Sequence, residues 1–311
     1  MKNSASARLR DLIARGPTLY VPGCYNAVSG RVLEAAGFEA IYMSGYGTSL
    51  SLTGLPDVGL TTMTEMVANA RYIAQAVRIP LIADADTGFG NAINVMRTIR
   101  EYIVAGVAGL HMEDQVNPKR CGHVAGRVVI TFEEAVGKVR AAVDARNALD
   151  PDFVIVARTD ARGASGGSLD EAIRRANAFL AAGADLAFIE GPTSDDEVRR
   201  ICREVKGRVF YNMTGVSPRY TLDEMRALGI SICISPNAML RTALGAMYDL
   251  ALQLKAEGPV AETRFMESFK QHPLGDLHTF AGFDQVRTWE REYLGEEAMQ
   301  KYSDSVGHLP K

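Results

Sequence analysis

The sequence is poor in the residues that staple small secreted folds. Its 311 residues include only four cysteines, at positions 24, 121, 202 and 233. They lie far apart with no CxxC pair, so neither a disulfide framework nor a structural zinc site is indicated. Excess charge of one sign is also missing. Lys and Arg number 34 and Asp and Glu 37, a net charge of −3, which gives no electrostatic reason to expect nucleic acid or an anionic membrane as partner. No apolar run approaches the roughly 20 residues that span a bilayer. Residues 1–15 are polar and carry no apolar signal core. A glycine-rich phosphate turn is absent as well: the first strand-like run leads into Gly23-Cys24-Tyr25-Asn26, unlike the turn of a dinucleotide-binding open sheet. What the chain does have is core material. It is 47% hydrophobic and 23% charged, the balance of a large folded domain and not of a disordered chain. A soluble protein of a reducing, cytoplasmic compartment is expected.

Short apolar runs alternate with amphipathic stretches eight times. Strands are predicted at 19–23 (LYVPG), 40–44 (AIYMS), 80–84 (PLIAD), 107–113 (VAGLHME), 153–158 (FVIVAR), 186–190 (LAFIE), 208–212 (RVFYN) and 230–235 (ISICIS). Helices are predicted after them, at 27–36, 64–77, 92–105, 132–148, 169–182, 195–205 and 222–228, with a last one ending near 255. Continuously apolar strands, each followed by a helix, imply a parallel sheet buried on both faces. Glycine precedes several of the strands, as the C-terminal stop of a helix requires. The pattern predicts an α/β fold, a closed (β/α)8 TIM-like barrel over residues 1–256 that forms the catalytic domain. A doubly wound open sheet is the alternative. Residues 257–311 are predicted as a helical C-terminal extension. Its Trp289, Tyr293 and Tyr302 would pack either on a second subunit or on the chain's own barrel.

Polar residues collect at the strand ends, where a barrel builds its active site. They are Tyr42, Ser44, Gly45 and Tyr46 after strand two, Asp84 and Asp86 after three, and His111, Glu113 and Asp114 after four. Arg158 and Asp160 follow strand five, Glu190 six, Asn212 and Thr214 seven, and Ser235 eight. Repetition at one structural position argues for function, although each element also has a plain reading. Asp84 and Asp86 could cap the following helix, Glu113 and Asp114 could form a surface turn, His111 could be a core histidine, and Arg158 could sit in a structural ion pair. The glycines at 45 and 47 could mark a simple turn, or a loop whose N–H groups meet a carboxylate or phosphate. Carboxylates ending neighbouring strands suit magnesium. The polar run 119–123 (KRCGH) places Cys121 among Lys119, Arg120 and His123. That setting is predicted to favour a thiolate, and with the acidic cluster it suggests metal-assisted chemistry on an anionic substrate, with a cysteine moving a proton. Cys24, Cys202 and Cys233 read as buried apolar thiols.

These motifs resemble the isocitrate lyase / phosphoenolpyruvate mutase superfamily, and within it short-chain lyases such as 2-methylisocitrate lyase, 2,3-dimethylmalate lyase and petal death protein. The matching stretches are 40–45 (AIYMSG), 54–57 (GLPD), 80–90 (PLIADADTGFG), 109–115 (GLHMEDQ), 119–123 (KRCGH), 157–161 (ARTDA) and 212–214 (NMT), and the likeness spans residues 8–256. The resemblance implies Mg2+, or Mn2+, held partly through water at Asp84, Asp86 and Glu113. It implies cleavage of a C2–C3 bond in a 2-hydroxy di- or tricarboxylate, with Cys121 as the acid on a mobile loop and Lys119, His123, Arg158, Glu190 and Tyr42 as further catalytic residues. Substrate contacts would come from Ser44, Gly45, Tyr46, Asp57, Gly122, Arg158, Asn212 and Thr214. A homotetramer built as a dimer of dimers, with exchanged C-terminal helices, is implied too. Three departures put the substrate in question. The cysteine loop continues as Val124-Ala125-Gly126-Arg127, as in the dimethylmalate lyase and petal death protein branch; Tyr46 replaces a glycine; and the segment after Thr214 is shortened to Gly215-Val216-Ser217-Pro218. Oxaloacetate decarboxylation or hydrolysis, phosphonate chemistry and non-catalytic metabolite binding are the competing activities.

Overall fold

The computed structural model describes residues 4–303 and 305–310. Its strands are β1 (Leu19–Cys24), β2 (Ile41–Met43), β3 (Leu81–Asp84), β4 (Gly109–Glu113), β5 (Val154–Thr159), β6 (Leu186–Ile189), β7 (Arg208–Asn212) and β8 (Ile230–Ser235). All pair in parallel with their sequence neighbours, and β8 returns to β1, which closes the barrel and excludes the open sheet. Helices α1 (Ala5–Ala14), α2 (Ala27–Ala35), α3 (Gly45–Thr53), α4 (Met63–Ala76), α5 (Ala92–Val104), α6 (Phe132–Leu149), α7 (Leu169–Ala181), α8 (Asp195–Glu204) and α9 (Leu222–Leu228) accompany the strands. After them come α10 (Ala238–Glu257), α11 (Pro259–Phe269), α12 (Leu277–Ala281), α13 (Phe283–Leu294) and α14 (Glu296–Ser303).

The strands are apolar throughout because each has two buried faces. Outward residues such as Met43, Leu81, Leu110 and Ile155 pack with Met66, Ile73, Val95, Ile99 and Val139 from α4, α5 and α6. Tyr42, Ile82, Val156, Phe188, Phe210 and Ile232 form a second cluster, the barrel interior. The helices start where the chemistry of their caps dictates: capping boxes open α2 at Asn26, α4 at Thr62, α5 at Asn91 and α9 at Thr221.

Two helices lie outside the sequence expectation. In α1, Leu9 and Leu12 join the interior cluster beside Val21, Ala40, Ile82 and Val154, residues at or near the start of their strands. The helix therefore plugs the barrel end opposite the strand termini that carry the polar residues. Ser6 Oγ ties it down by donating to Asp150 at 2.7 Å. The second, α3, begins directly at the end of β2, where a turn or loop was the expectation.

The chain divides into two compact units within α10, one up to Thr242 and one from Ala243. In the second, α13 and α14 are joined by Lys301 and Glu290, 2.7 Å apart. Ala261 and Pro310 are its only buried residues among those described, whereas Met247, Phe265, Met266, Trp289 and Tyr293 are exposed.

Candidate active site

At the C-terminal ends of the strands lies a cleft of about 430 Å³, lined by residues from the ends of β2, β3, β5, β6, β7 and β8 and by the 119–123 loop. Parallel pairing brings its parts into register: Asp84 lies beside His111, Glu113 beside Arg158, and Arg158 beside Phe188.

Asp84 is the hub of one side. Its Oδ2 accepts the Gly45 N–H at 3.1 Å and faces Tyr42 Oη at 3.3 Å, while its Oδ1 accepts the Asp86 N–H at 2.9 Å. It therefore does not cap the following helix, α5, whose cap is Asn91. Burial pushes Asp84 up, but His111, Lys119 and Arg158 together outweigh burial and hold it at about 2. Asp86 sits in left-handed backbone at φ 47°, a conformation that costs a non-glycine residue about 1–3 kcal/mol and clusters at functional sites. Its carbonyl receives the Glu113 N–H at 2.8 Å, which locks that turn to β4. Burial raises Asp86 to about 6 and pushes Glu113 well above the carboxylate range.

The opposite side is built on Arg158. Its guanidinium is clamped by Asp160 at 2.9 and 3.0 Å and also meets Glu113 Oε2 at 3.1 Å and Glu190 Oε2 at 3.3 Å. Glu190 is wholly buried, accepts from Asn212 Nδ2 at 3.1 Å, and faces His123 Nε2 at 3.4 Å.

The 119–123 loop is seated over this cleft. Lys119 is buried between Asp57 and Asp86, its ammonium 2.8 Å from Asp86 Oδ1. Gln115 grips the Arg120 backbone N–H and carbonyl, at 2.9 and 2.8 Å. Farther on, Arg127 pairs with Asp160 at 3.1 Å. Gly122 lies so close to Arg158 and Glu190 that a Cβ there would come within 2.6 Å of Glu190 Cγ. Cys121 lines the cleft.

The thiolate expectation fails on this geometry. Burial pushes the Cys121 thiol up from its ordinary value, and the His123 backbone N–H, Arg158 and Lys119 do not reverse it. Lys119 is engaged by two carboxylates, and Arg120 is exposed and does not line the cleft. Neighbours in sequence are not neighbours in charge, so the cysteine holds its proton.

A profile of the family described as phosphoenolpyruvate phosphomutase matches residues 9–255. The chain is 45% identical to the 2,3-dimethylmalate lyase of Eubacterium barkeri, over 93% of this chain and 98% of that protein. The chain belongs to the isocitrate lyase / phosphoenolpyruvate mutase superfamily. It is also 44% identical to a 2-methylisocitrate lyase of Aeropyrum pernix, over 80% of each chain. The solved structure of oxaloacetate acetylhydrolase in complex with 3,3-difluorooxalacetate superposes with a TM-score of 0.84 at 34% identity, covering 94% of this chain and 98% of that one. Similarity to this superfamily runs through the barrel and past the last strand.

Of the residues the sequence proposed, Tyr42, Ser44, Tyr46, Asp57, Asp84, Lys119, Cys121, Gly122, His123, Arg158, Glu190, Asn212 and Thr214 line the one cleft. Asp86, Glu113 and Gly45 do not line it; they stand behind Lys119, Arg158 and Asp84 respectively. Gly45 gives its N–H to Asp84 and Gly47 gives its own to Ser44 Oγ, so the start of α3 is largely satisfied from within the protein. Four lining residues went unnoticed in the sequence: Phe188, Ile234, Pro236 and Asn237. Asn237, which accepts from Ser44 Oγ at 3.0 Å, follows β8 by two residues. Phe188 lies two residues before Glu190, the spacing that puts both on one face of a strand.

Proposed function

We propose that this chain is a divalent-metal-dependent carbon–carbon lyase. Its substrate would be a 2-hydroxy dicarboxylate of the 2-alkylmalate type, or 2-methylisocitrate, and its products a 2-oxo acid and a carboxylic acid. The observation that carries the proposal is the place of Cys121, whose burial favours the protonated thiol, on a loop seated over a cleft that also presents Asp84, Arg158 and Glu190.

When the C2–C3 bond breaks, the C2 hydroxyl becomes a carbonyl and gives its proton to a carboxylate lining the cleft, for which Asp84 and Glu190 are available. The carbon that leaves the hydroxylated centre becomes electron-rich and needs a proton. Cys121 supplies it, and a thiol kept protonated by burial is ready as a general acid at neutral pH. Arg158, pre-oriented by Asp160, faces developing negative charge on the substrate. Glu190, His123 and Asn212 orient the departing half. Ser44 and Tyr46, at the N-terminus of α3, hold the oxo-acid carboxylate where the helix dipole favours an anion; Gly45 contributes by letting Asp84 come close. Tyr42 and Asp57 border the acidic end, and Thr214 the far wall. Both lining residues with full positive charge, Lys119 and Arg158, are already paired with carboxylates. A third substrate carboxylate would find no further Lys or Arg in the lining, which favours a dicarboxylate.

Asp84, Asp86 and Glu113 fit a hard cation such as Mg2+, with Mn2+ as the alternative. Their donor set is all oxygen, and Glu113 Oε1 is buried without a hydrogen bond among the described residues, while Asp86 Oδ1 faces only the Lys119 ammonium. No three His, Cys, Asp or Glu side chains among the described residues converge for direct ligation, so an ion here would be held partly through water. When bound it would supply Lewis-acid polarisation of the substrate's oxygens.

The test is condensation in reverse. Enzyme and Mg2+ are incubated with pyruvate or glyoxylate and short carboxylic acids, and adducts are read by mass spectrometry. An adduct with propionate or a longer monocarboxylic acid supports a malate-type substrate; one with succinate alone would return the case to a tricarboxylate. A second reading, hydrolysis of oxaloacetate to oxalate and acetate, is favoured by the likeness to oxaloacetate acetylhydrolase and is checked on the same enzyme by product analysis. The exposed Met247, Phe265, Met266, Trp289 and Tyr293 support burial against a second copy, in a cytoplasmic homotetramer that exchanges these helices. Sedimentation velocity checks it.

A further inference from the structure

His111, on β4, is wholly buried inside the barrel. Its ring stacks on Tyr42 with an interplanar angle of 11° and meets Phe188 edge-on. Nε2 lies 2.6 Å from Tyr42 Oη and, farther off, 3.5 Å from Asp84 Oδ1, whereas Nδ1 is buried and has no hydrogen-bond partner among the described residues. Tyr42 Oη in turn lies 3.3 Å from Asp84 Oδ2. Imidazole, phenol and carboxylate thus form one chain, and the order of its hydrogens decides what each group does.

A charged imidazolium would need acceptors at both nitrogens. Nδ1 has none, so the ring carries a single proton. Placed on Nδ1, that proton would be a buried donor without an acceptor, which folded proteins rarely tolerate. Tyr42 would then give its only hydrogen to Nε2, and its oxygen lone pairs would face the Asp84 carboxylate. With the proton on Nε2, the imidazole donates to Tyr42 and Tyr42 donates to Asp84. Only an acceptor nitrogen is left unpaired, the less costly of the two defects.

We propose that His111 is a positioning residue of the cation-binding corner. As the Nε2–H tautomer it fixes the Tyr42 hydroxyl as a donor to Asp84. With the N–H groups of Gly45 and Asp86, that hydroxyl holds both Asp84 oxygens in place to receive a divalent cation. Tyr42 then serves as a donor in this arrangement and not as a base. The inference rests on the reading of Asp84 as part of a metal site, and the test separates the two.

The full chain is labelled with 15N-histidine, and His111 is assigned by its loss in His111→Gln. In the metal-free protein the expected spectrum shows a protonated-type nitrogen at Nε2 and a bare one at Nδ1; the opposite tautomer overturns the proposal. Mn2+ affinity is then measured by paramagnetic resonance. His111→Leu and Tyr42→Phe should each weaken it about five- to tenfold, the size of one net hydrogen bond, and the double variant should be no weaker than either single one. His111→Gln, whose side-chain N–H can reach the same oxygen, should recover the affinity, which a purely space-filling role would not require. Unchanged affinity in His111→Leu overturns the proposal, and if that variant does not fold, unchanged affinity in Tyr42→Phe does so. Failure of the parent protein to bind Mn2+ would sink the metal reading itself, a result distinct from the wrong tautomer.

Discussion

Adding one methyl group at Gly122 should separate the loop's contribution from that of the barrel. A Cβ there would lie 2.6 Å from Glu190 Cγ and closer still to Arg158 Nη2. Ordinary carbon contacts need about 3.5–4.0 Å, so something must move by about 1 Å. Arg158 resists, because Asp160 holds it through two hydrogen bonds, each worth about 1.5–3 kcal/mol as a charged pair. Glu190 resists because it is wholly buried and bonded to Asn212. The loop therefore gives way and carries Cys121 out of place, and a displacement of about 1 Å typically lowers turnover about 100-fold. The barrel core does not involve the loop, so Tm should change by no more than about 2 °C. The assay is kcat for Gly122→Ala in the adduct-forming reaction, with scanning calorimetry beside it. Turnover at the parent's rate would refute the seating of the loop on Arg158 and Glu190. A large fall in Tm would refute the claim that loop and core are independent.

Cys121→Ser should lose about 100- to 10,000-fold in turnover, the range of a general acid, while oxalate affinity by calorimetry stays at the parent's value. His111 is held at about 4 by burial, aided by Arg158 and Lys119, against an ordinary 6.5. A depressed histidine pKa contributes stability that is complete above pH 6.5 and lost as the pH falls through 4. Between pH 7 and 4.5 the parent should therefore lose about 2–3 kcal/mol more than His111→Gln in urea unfolding, and parallel curves would count against a buried neutral imidazole. Asp114, which accepts from Thr159 at 2.7 Å, from the Asp160 N–H at 2.9 Å and from Arg175 at 3.0 Å, belongs to the scaffold. Asp114→Ala should cost about 1.5–3 kcal/mol by removing the charged hydrogen bond to Arg175, which keeps Glu171 as its remaining carboxylate at 2.8 Å, read as a fall in the urea midpoint.

The eight β/α repeats were legible because parallel strands buried on both faces must be apolar at every position. No strand boundary moved by more than two residues, the largest shift being at the start of β4. Helix α1 left a readable signal that went unused: a serine cap at Ser4, then Leu9, Leu12 and Ile13 at helical spacing. Helix α3 left almost none, since Gly45, Gly47, Thr48, Ser49 and Ser51 are weak helix formers. The cleft residues could be named because strand ends converge in a barrel. The charge state of Cys121 could not, because Lys119 turns to Asp57 and Asp86, a pairing set by tertiary structure. The same holds for Gly45, whose N–H goes to a carboxylate on another strand.

That last bond spans 39 residues of sequence, which sets an order of events at the ribosome. Synthesis proceeds at roughly 5–20 residues per second, so the segment from Gly45 to Thr53 emerges seconds before the acceptor that completes its first turn. A nascent chain ending before Asp84 lacks the carboxylate that accepts the Gly45 N–H, and with it one partner of the first turn of α3. This corner of the cleft therefore waits on the third strand, whose Asp84 completes what the second unit begins.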